Sequence, residues 1–177
     1  MPLILYLIGA ASFLAAGALL AYSRHSGDCE TVLEVHKSHD FRVEIVDGHT
    51  AVASCVVPLA NKSQVRGTVV DLRCEVRCPR RVETGLTLRP FAARQGEAPS
   101  GEGWRATDLA GGQSVDLVVG VVLICGGRAT ARHWPQYLAR LSGLPLLVRV
   151  KVVGRRSIAW RLSQVAFPWE DLARKAA

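Results

Sequence analysis

Strand-length segments with alternating polar and apolar side chains recur along the chain, and this periodicity most constrains its fold. In residues 41–46, Phe41, Val43 and Ile45 share one face and the charged residues between them share the other. An Asp-Gly pair, a strong signal for a tight turn between strands, follows directly. Such a segment is expected to form a strand with one buried face.

Further segments of this kind continue to the end of the chain. Residues 133–143 have helical spacing instead, because Trp134, Tyr137, Leu138 and Leu141 would form one apolar stripe, and Pro168 is suited to begin a short terminal helix. About seven to nine strands separated by turn signals predict a mainly β protein, an immunoglobulin-like β-sandwich with one short helix at about 133–143. The predicted strands cover residues 31–36, 41–46, 50–60, 65–78, 83–91, 104–109 and 114–125, with a final pair within 145–167.

Residues 1–22 form an apolar segment without any charged side chain. A helix needs roughly 20 such residues to cross a bilayer, so we predict a single transmembrane helix here. A cleaved signal peptide is the alternative, but no Lys or Arg precedes the apolar run. The predicted organisation is a transmembrane anchor at 1–22, a connector at 23–30 and a β-sandwich domain at 31–177.

The basic residues beside the predicted anchor indicate its orientation. Arg24 and His25 follow the anchor directly, and Lys37 and Arg42 come soon after, whereas no Lys or Arg precedes it. Positively charged residues favour the cytoplasmic side of a membrane. We therefore expect a single-pass protein of the cell membrane whose C-terminal domain faces the cytoplasm.

The chain carries a formal net charge of +7, and all its charged side chains follow the predicted anchor. A basic domain beside a membrane attracts anionic lipid headgroups. The sequence argues against nucleic acid, the other common polyanion, because it has no helix-turn-helix, zinc-finger or RNP-like pattern. A solubilising sheet edge is the alternative explanation for the densest basic groups. The candidate surface for an anionic partner consists of Arg77, Arg80, Arg81, Arg155 and Arg156.

The positions of the cysteines predict that they are buried. Cys74 and Cys78 share the apolar face of the predicted fourth strand with Val70. Four residues of a strand span about 13 Å, which is too far for a disulfide between these two cysteines. Cys55 and Cys125 also alternate with apolar neighbours. We expect core thiols, with a cross-sheet disulfide and a metal or redox role as alternatives.

No arrangement of polar residues predicts catalysis or cofactor binding. His36, His39 and Asp40 form the densest polar cluster, for which a solvated loop is expected and a metal site is the alternative. Glycine-containing segments lack the lysine and the strand-to-helix context of a phosphate-binding loop. The sequence therefore predicts a non-enzymatic protein with no catalytic, cofactor-binding or metal-ligating residues.

Several runs of residues between 41 and 167 follow one another in a familiar order. They are VVPLANKSQVRGTVVDL, LAGGQSVDLVVGVVLI, a short helix, and the strand pair GLPLLVRVKVVG and SIAWRLSQVAF. This order is similar to the type-two late-embryogenesis-abundant domain, also called the water stress and hypersensitive response (WHy) domain. Asn61 matches the family's turn asparagine, whereas Lys62 and Ser63 replace its proline and second asparagine. The resemblance implies a non-catalytic sandwich that is often tethered to a membrane, a pattern that bacterial membrane-anchored sandwich proteins also satisfy.

The sequence as a whole predicts a non-catalytic, membrane-anchored β-sandwich that acts as a protein-interaction or scaffolding module at the membrane surface. Its expected partners, besides the membrane that holds the anchor, are another protein or anionic lipid headgroups. Envelope-stress or desiccation protection of the WHy type is the first alternative. A thiol-redox or metal protein is the second.

Overall fold

The computed structural model describes residues 2–25, 27–77, 86–97, 104–126 and 133–176. Within these ranges the helices are α1 (Pro2–His25), α2 (Trp134–Arg140) and α3 (Trp169–Lys175), with one 3₁₀ turn at Val35–Lys37. The strands are β1 (Thr31–Leu33), β2 (His39–Ile45), β3 (Thr50–Asn61), β4 (Gly67–Val76), β5 (Leu86–Arg94), β6 (Thr107–Leu109), β7 (Ser114–Cys125), β8 (Pro145–Val153) and β9 (Ile158–Ala166).

The described strands form two antiparallel sheets that pack face to face. The first sheet has the order β1-β3-β7-β5. β2 belongs to the same sheet and pairs with β3 beside β1, since β1 contacts the end of β3 and β2 contacts its earlier residues. The second sheet has the order β6-β4-β8-β9. Buried side chains from both sheets meet in one apolar core. The predicted immunoglobulin-like β-sandwich is confirmed, and its nine described strands fall within the predicted number.

β3 and β7 form the centre of the first sheet. Their pairing is continuous over 11 positions, from Thr50 opposite Ile124 to Ala60 opposite Ser114. Side chains alternate along each strand, so that every second residue points into the core. Cys55 lies on this inner face and is 1% exposed, and Cys125 is also buried. The prediction that these two thiols lie on core-facing stripes is confirmed.

A register break in β4 changes which residues face the core. The pairing of β4 with β8 shifts between Val69 and Asp71, which leaves one extra residue in β4 as a bulge. Val69 is therefore fully buried, and the prediction that Val70 shares the inner face with Cys74 is wrong. Beyond the bulge, Cys74 packs against the core as the sequence predicts.

α2 and α3 lie at the end of the sandwich where β8 begins and β9 ends, and they contact each other. Trp134 of α2 and Trp169 of α3 are both buried. The indole N–H of Trp169 donates a hydrogen bond to the carbonyl oxygen of Leu144 at 3.2 Å. The predicted helix at 133–143 and the predicted short helix after Pro168 are both present.

The first predicted strand, residues 31–36, is only partly correct. β1 ends at Leu33, and the chain then forms the 3₁₀ turn. Between them Glu34 is buried, and its carboxylate contacts the ammonium groups of Lys37, at 2.8 Å, and of Lys62. Hydrogen bonds from these two lysines lower the pKa of Glu34 to about 2. The turn places Lys37 within reach of the Glu34 carboxylate.

Asn61, the residue that carries the WHy resemblance, connects two turns inside the fold. It is 1% exposed, and its Oδ1 atom accepts hydrogen bonds from the backbone N–H (3.2 Å) and hydroxyl (2.9 Å) of Ser63. Its role in the described structure is to hold the two turns together. The side-chain Nδ2 donates to the carbonyl oxygens of Val65 (2.8 Å), Leu109 (3.2 Å) and Ala110 (3.2 Å).

α1 covers the segment for which the sequence predicts a transmembrane anchor. It is 24 residues long, and those of its side chains that the structure describes are exposed, including Tyr6, Phe13 and Leu14. Among the described residues, no helix is both long and apolar enough to cross a membrane. The predicted transmembrane helix at 1–22 therefore gains no support from the structure and stays a prediction.

Candidate functional site

β9 presents a row of three large apolar side chains to solvent. Ile158, Trp160 and Leu162 alternate along the strand and are 66%, 49% and 59% exposed. Because they alternate, they share one face of the second sheet. Single exposed apolar residues are common, whereas a contiguous exposed row marks an interaction site. We call these three residues the β9 face.

Cationic side chains from the neighbouring strands surround the β9 face. Lys151 of β8 is paired with Trp160, and its Nζ atom lies 5.7 Å from the centre of the indole ring. Arg73 of β4 reaches the same ring, with its Cζ atom at 5.9 Å. Both distances lie within the range of cation–π attraction. Trp160 is thus a large apolar side chain in a positively charged setting.

Two carboxylates of β4 neutralise part of this charge. Asp71 accepts a hydrogen bond from Arg73 at 2.9 Å, and Glu75 lies 3.2 Å from Arg149. These side chains are partly or largely exposed, so the pairs contribute little to stability. Within the described ranges, no carboxylate comes within 4.0 Å of Lys151 in the same way. The surroundings of the β9 face therefore remain basic.

The turn between β8 and β9 is fixed by Asp28, a residue of the connector. Its carboxylate joins the connector to the tip of a hairpin that is distant in sequence. The pKa of Asp28 falls to about 2, mainly because the hydroxyl of Ser157 donates to its carboxylate. Asp28 accepts from the backbone N–H groups of Cys29 (2.8 Å), Arg155 (2.6 Å) and Arg156 (3.4 Å), and from the Ser157 hydroxyl (2.6 Å).

Gly154 makes this contact possible. A Cβ atom at position 154 would lie 2.2 Å from Oδ1 of Asp28, which is closer than any side chain tolerates. With glycine there, the carboxylate fits against the turn, and the exposed residues Arg155 and Arg156 are separated from Ile158 by Ser157 alone. We call the contact of Asp28 with residues 154–157 the Asp28 clamp.

The structure separates the arginines that the sequence grouped as one candidate surface. Arg155 and Arg156 lie beside the β9 face, at one end of β8. Arg77 is exposed and directly follows the C-terminal end of β4, where Val76 pairs with Leu146 near the start of β8. Leu146 and Val153 are seven residue steps apart, which corresponds to about 23 Å of strand. Arg80 and Arg81 lie outside the described residues.

The β9 face itself was not predicted from the sequence. The segment SIAWRLSQVAF shows apolar residues at alternate positions, which usually indicates a buried face. The buried positions of β9 instead include Val165, which is on the opposite face from Trp160. Only the packing of the two sheets shows that the row containing Trp160 faces outward, because alternation alone does not say which face meets the core.

Apart from the β9 face, the described structure has a concave surface on the outer face of the first sheet. It has a volume of about 640 Å³ and a floor that includes Val52, Val56 and Val118. Arg42 and Glu44 lie at its rim, and Arg42 Nε donates to the hydroxyl of Ser54 at 3.2 Å. We call it the outer groove; its full lining is Asp40, Phe41, Arg42, Glu44, Val52, Ser54, Val56, Phe91, Ala93, Gln95, Gly96, Glu97 and Val118.

Two local features shape the outer groove. Asp40 has a φ of 52° where the pairing of β2 with β3 shifts between His39 and Arg42, so a bulge bends this edge. Phe91 lies opposite Gly120, where an added Cβ atom would be 2.7 Å from the phenyl ring. The groove therefore has a closely packed, largely apolar floor and a charged rim.

The cysteines do not form a reactive site in the described part of the chain. Cys29, Cys55, Cys74 and Cys125 are free thiols, so the cross-sheet disulfide is not formed. Burial raises the pKa of Cys55 and of Cys74 to about 12, which suppresses the reactive thiolate. Cys78 lies outside the described residues.

The cluster of His36, His39 and Asp40 is exposed, with 3.8 Å between His39 Nε2 and Asp40 Oδ2. No group of three or more His, Cys, Asp or Glu side chains in the described ranges is placed to hold a metal ion.

Comparisons with known proteins give two weak structural similarities and no sequence match. No family model and no curated protein matches it. Among solved structures, it is similar to the GAE domain of GGA2p from Saccharomyces cerevisiae, with 11% identity and a TM-score of 0.37 over 79% of this chain and 97% of that one. It is also similar to the yeast GGA1 GAE domain, with 10% identity and a TM-score of 0.34 over 73% of this chain and 100% of that one. The resemblance to the WHy domain stays a prediction.

Proposed function

We propose that this chain is a non-catalytic protein-interaction module and that the β9 face is its contact surface. The observation that carries the proposal is the exposed row of Ile158, Trp160 and Leu162. Tryptophan is enriched among the residues that contribute most to protein interfaces, and arginine is the other common contributor at such sites. Both occur here, on a rigid strand rather than on a loop.

The described polar groups support binding rather than chemistry. The buried thiols have raised pKa values, and the carboxylates with lowered pKa values hold turns together instead of facing a cavity. Asp28 and Glu34 are both occupied by hydrogen bonds within the fold. What the surface offers to a partner is therefore apolar area surrounded by positive charge.

Quantitative co-purification from cells that express the chain tests this function. The test variant replaces Ile158, Trp160 and Leu162 by serine; the control replaces the exposed residues Thr87 and Arg89 of β5 by serine. We expect proteins recovered with the wild type and the control to be lost from the test variant. Equal recovery with the test variant and the wild type would show that the β9 face is not the contact surface.

We further propose that residues 1–22 attach the module to the cell membrane, with the sandwich on the cytoplasmic side. The support is the absence of charged side chains in this segment and the basic residues that follow it. Extraction of membranes with alkaline carbonate tests attachment, and a chain retained in the pellet is the expected result. A reporter fused after Ala177 that is active only outside the cytoplasm would overturn the orientation.

A further inference from the structure

β9 is the one edge strand in the described sheets that combines nine residues, the absence of proline and an uninterrupted register. β1 and β6 have three residues each. β2 is interrupted by its bulge, and β5 contains Pro90 near its middle. These are the devices by which proteins prevent a free edge from adding another strand. β9, in contrast, has nine residues, no proline and an uninterrupted register with β8.

The backbone N–H and C=O groups of the β9 face point away from β8, and its side chains point to solvent. The N–H of Gly154 donates to the carbonyl oxygen of Ser157 at 2.8 Å, which makes these two residues a hydrogen-bonded pair. Bonded and non-bonded pairs alternate along an antiparallel ladder. Counting from this pair, Ile158, Trp160 and Leu162 direct their N–H and C=O groups away from β8. The exposed side chains and the free backbone groups therefore belong to the same residues.

A cavity lies beside the free edge of β9. It has a volume of about 250 Å³ and is lined by Arg161, Leu162 and Ser163 of β9 and by residues 30–33 from Glu30 to the end of β1. A strand added to β9 would place alternate side chains over the β9 face and into this cavity. The side chains that enter the cavity would meet Arg161, with Glu30 exposed at the other wall.

The charge around β9 selects the occupant. Lys151, Arg155, Arg156 and Arg161 lie on or next to the strand, and a second copy of β9 would bring the same positive charges against them. Like charges at close range disfavour such pairing. A segment with apolar residues over the β9 face would instead place the acidic residues between them beside Arg161, on the opposite face of the strand. Charge complementarity therefore favours an acidic partner strand over self-association.

We propose, building on the interaction function above, that β9 binds an extended acidic segment of another protein by strand addition. The segment has apolar residues at alternate positions, which cover the β9 face, and acidic residues between them, which contact Arg161. Main-chain hydrogen bonds supply affinity in this mode, and the alternating side chains supply specificity. The nine residues of β9 match a segment of about nine residues.

Fluorescence anisotropy with defined peptides and the full chain in mild detergent tests the proposal. The probe is a labelled peptide of alternating glutamate and valine, about ten residues long. One analogue has lysine in place of glutamate, and another is N-methylated at the backbone positions that would face β9. We expect saturable binding of the probe. Each analogue should bind with an affinity at least about ten-fold lower.

The protein variants separate charge recognition from loss of folding. Arg161→Glu should weaken the glutamate peptide about ten-fold and strengthen the lysine peptide, whereas Arg89→Glu, on the protected edge strand β5, should change neither. No saturable binding, equal binding of the N-methylated peptide, or equal behaviour of the two variants would overturn strand addition. Dimerisation through β9, seen by sedimentation, would also overturn it. Loss of co-purified partners from the serine variant, with any of these results, would leave the interaction function standing.

Discussion

At the scale of single residues, Asn61 is the polar side chain that joins the turn between β3 and β4 to the turn between β6 and β7. Its side-chain Nδ2 donates hydrogen bonds to three carbonyl oxygens, and its Oδ1 accepts one from the hydroxyl of Ser63. Asn61→Ala leaves these buried groups unsatisfied, so we expect a loss of about 2–3 kcal/mol in the free energy of unfolding. Asn61→Asp should cost more, because a carboxylate oxygen would then face carbonyl oxygens.

Urea denaturation measures this effect, with Gln64→Ala as the matched control in the same turn. Gln64 is exposed, and its replacement should change the free energy of unfolding by no more than about 0.5 kcal/mol. If Asn61→Ala were as stable as the control, the connecting role of Asn61 would be refuted.

Glu34 and Asp28 make stability depend on pH at the acid end. Their pKa values in the folded state are about 2, below the ordinary values of 4.5 and 3.8. A carboxyl whose pKa is lower in the folded state stabilises the fold above its unfolded pKa and loses this effect as the pH falls through its folded pKa. We therefore expect the free energy of unfolding to decrease between about pH 4.5 and pH 2.

Replacing Glu34 by glutamine should remove part of this pH dependence. The free energy of unfolding should then fall less steeply with decreasing pH across the same interval. Urea unfolding measured at a series of pH values tests it, with Glu97→Gln, an exposed residue of the outer groove rim, as the control. An unchanged slope for Glu34→Gln would contradict the assigned role of its two lysine contacts.

At the scale of elements, the Asp28 clamp couples the connector to the β8–β9 hairpin. Gly154→Ala places a methyl group into the Asp28 carboxylate, so we expect a loss of about 1–3 kcal/mol in the free energy of unfolding. In the Asp28→Ala background the methyl group has room, and Gly154→Ala should cost less. A double-mutant cycle by urea denaturation measures this coupling. Strictly additive effects would show that residue 154 acts independently of Asp28.

The β9 face is expected to contribute less to the stability of the isolated chain than the core does. Ile158, Trp160 and Leu162 are 66%, 49% and 59% exposed, so their joint replacement by serine removes a moderate buried apolar area. We expect the triple variant to lose about 2–4 kcal/mol in the free energy of unfolding by urea denaturation and to remain folded. A triple variant that is unfolded without urea would mean that these side chains belong to the core rather than to a contact surface.

At the scale of the whole molecule, the strand periodicity was sufficient to predict the sandwich. The helical spacing of Trp134, Tyr137, Leu138 and Leu141 likewise located α2. These features could be predicted because alternation and helical spacing are local properties of the sequence. The bulge that buries Val69 instead of Val70 could not, because it depends on how β4 pairs with β8.

The candidate site was less accessible to sequence reasoning. The sequence identifies Arg155 and Arg156 as candidate residues. Their backbone hydrogen bonds to Asp28, however, join positions more than 120 residues apart in the chain. The exposure of Trp160 depends on which face of β9 lies against the other sheet, which no local pattern encodes. The face of the packed sheet, rather than residue type, distinguishes this surface from the core.

The central claim is that the β9 face contacts a partner protein, and site-specific photocrosslinking in living cells tests it most directly. A photoreactive amino acid replaces Leu162 in one chain and Thr87, on the edge strand β5, in another. We predict a discrete adduct with a second protein from position 162, and none from position 87. No adduct from position 162, or the same adduct from both positions, would contradict the claim.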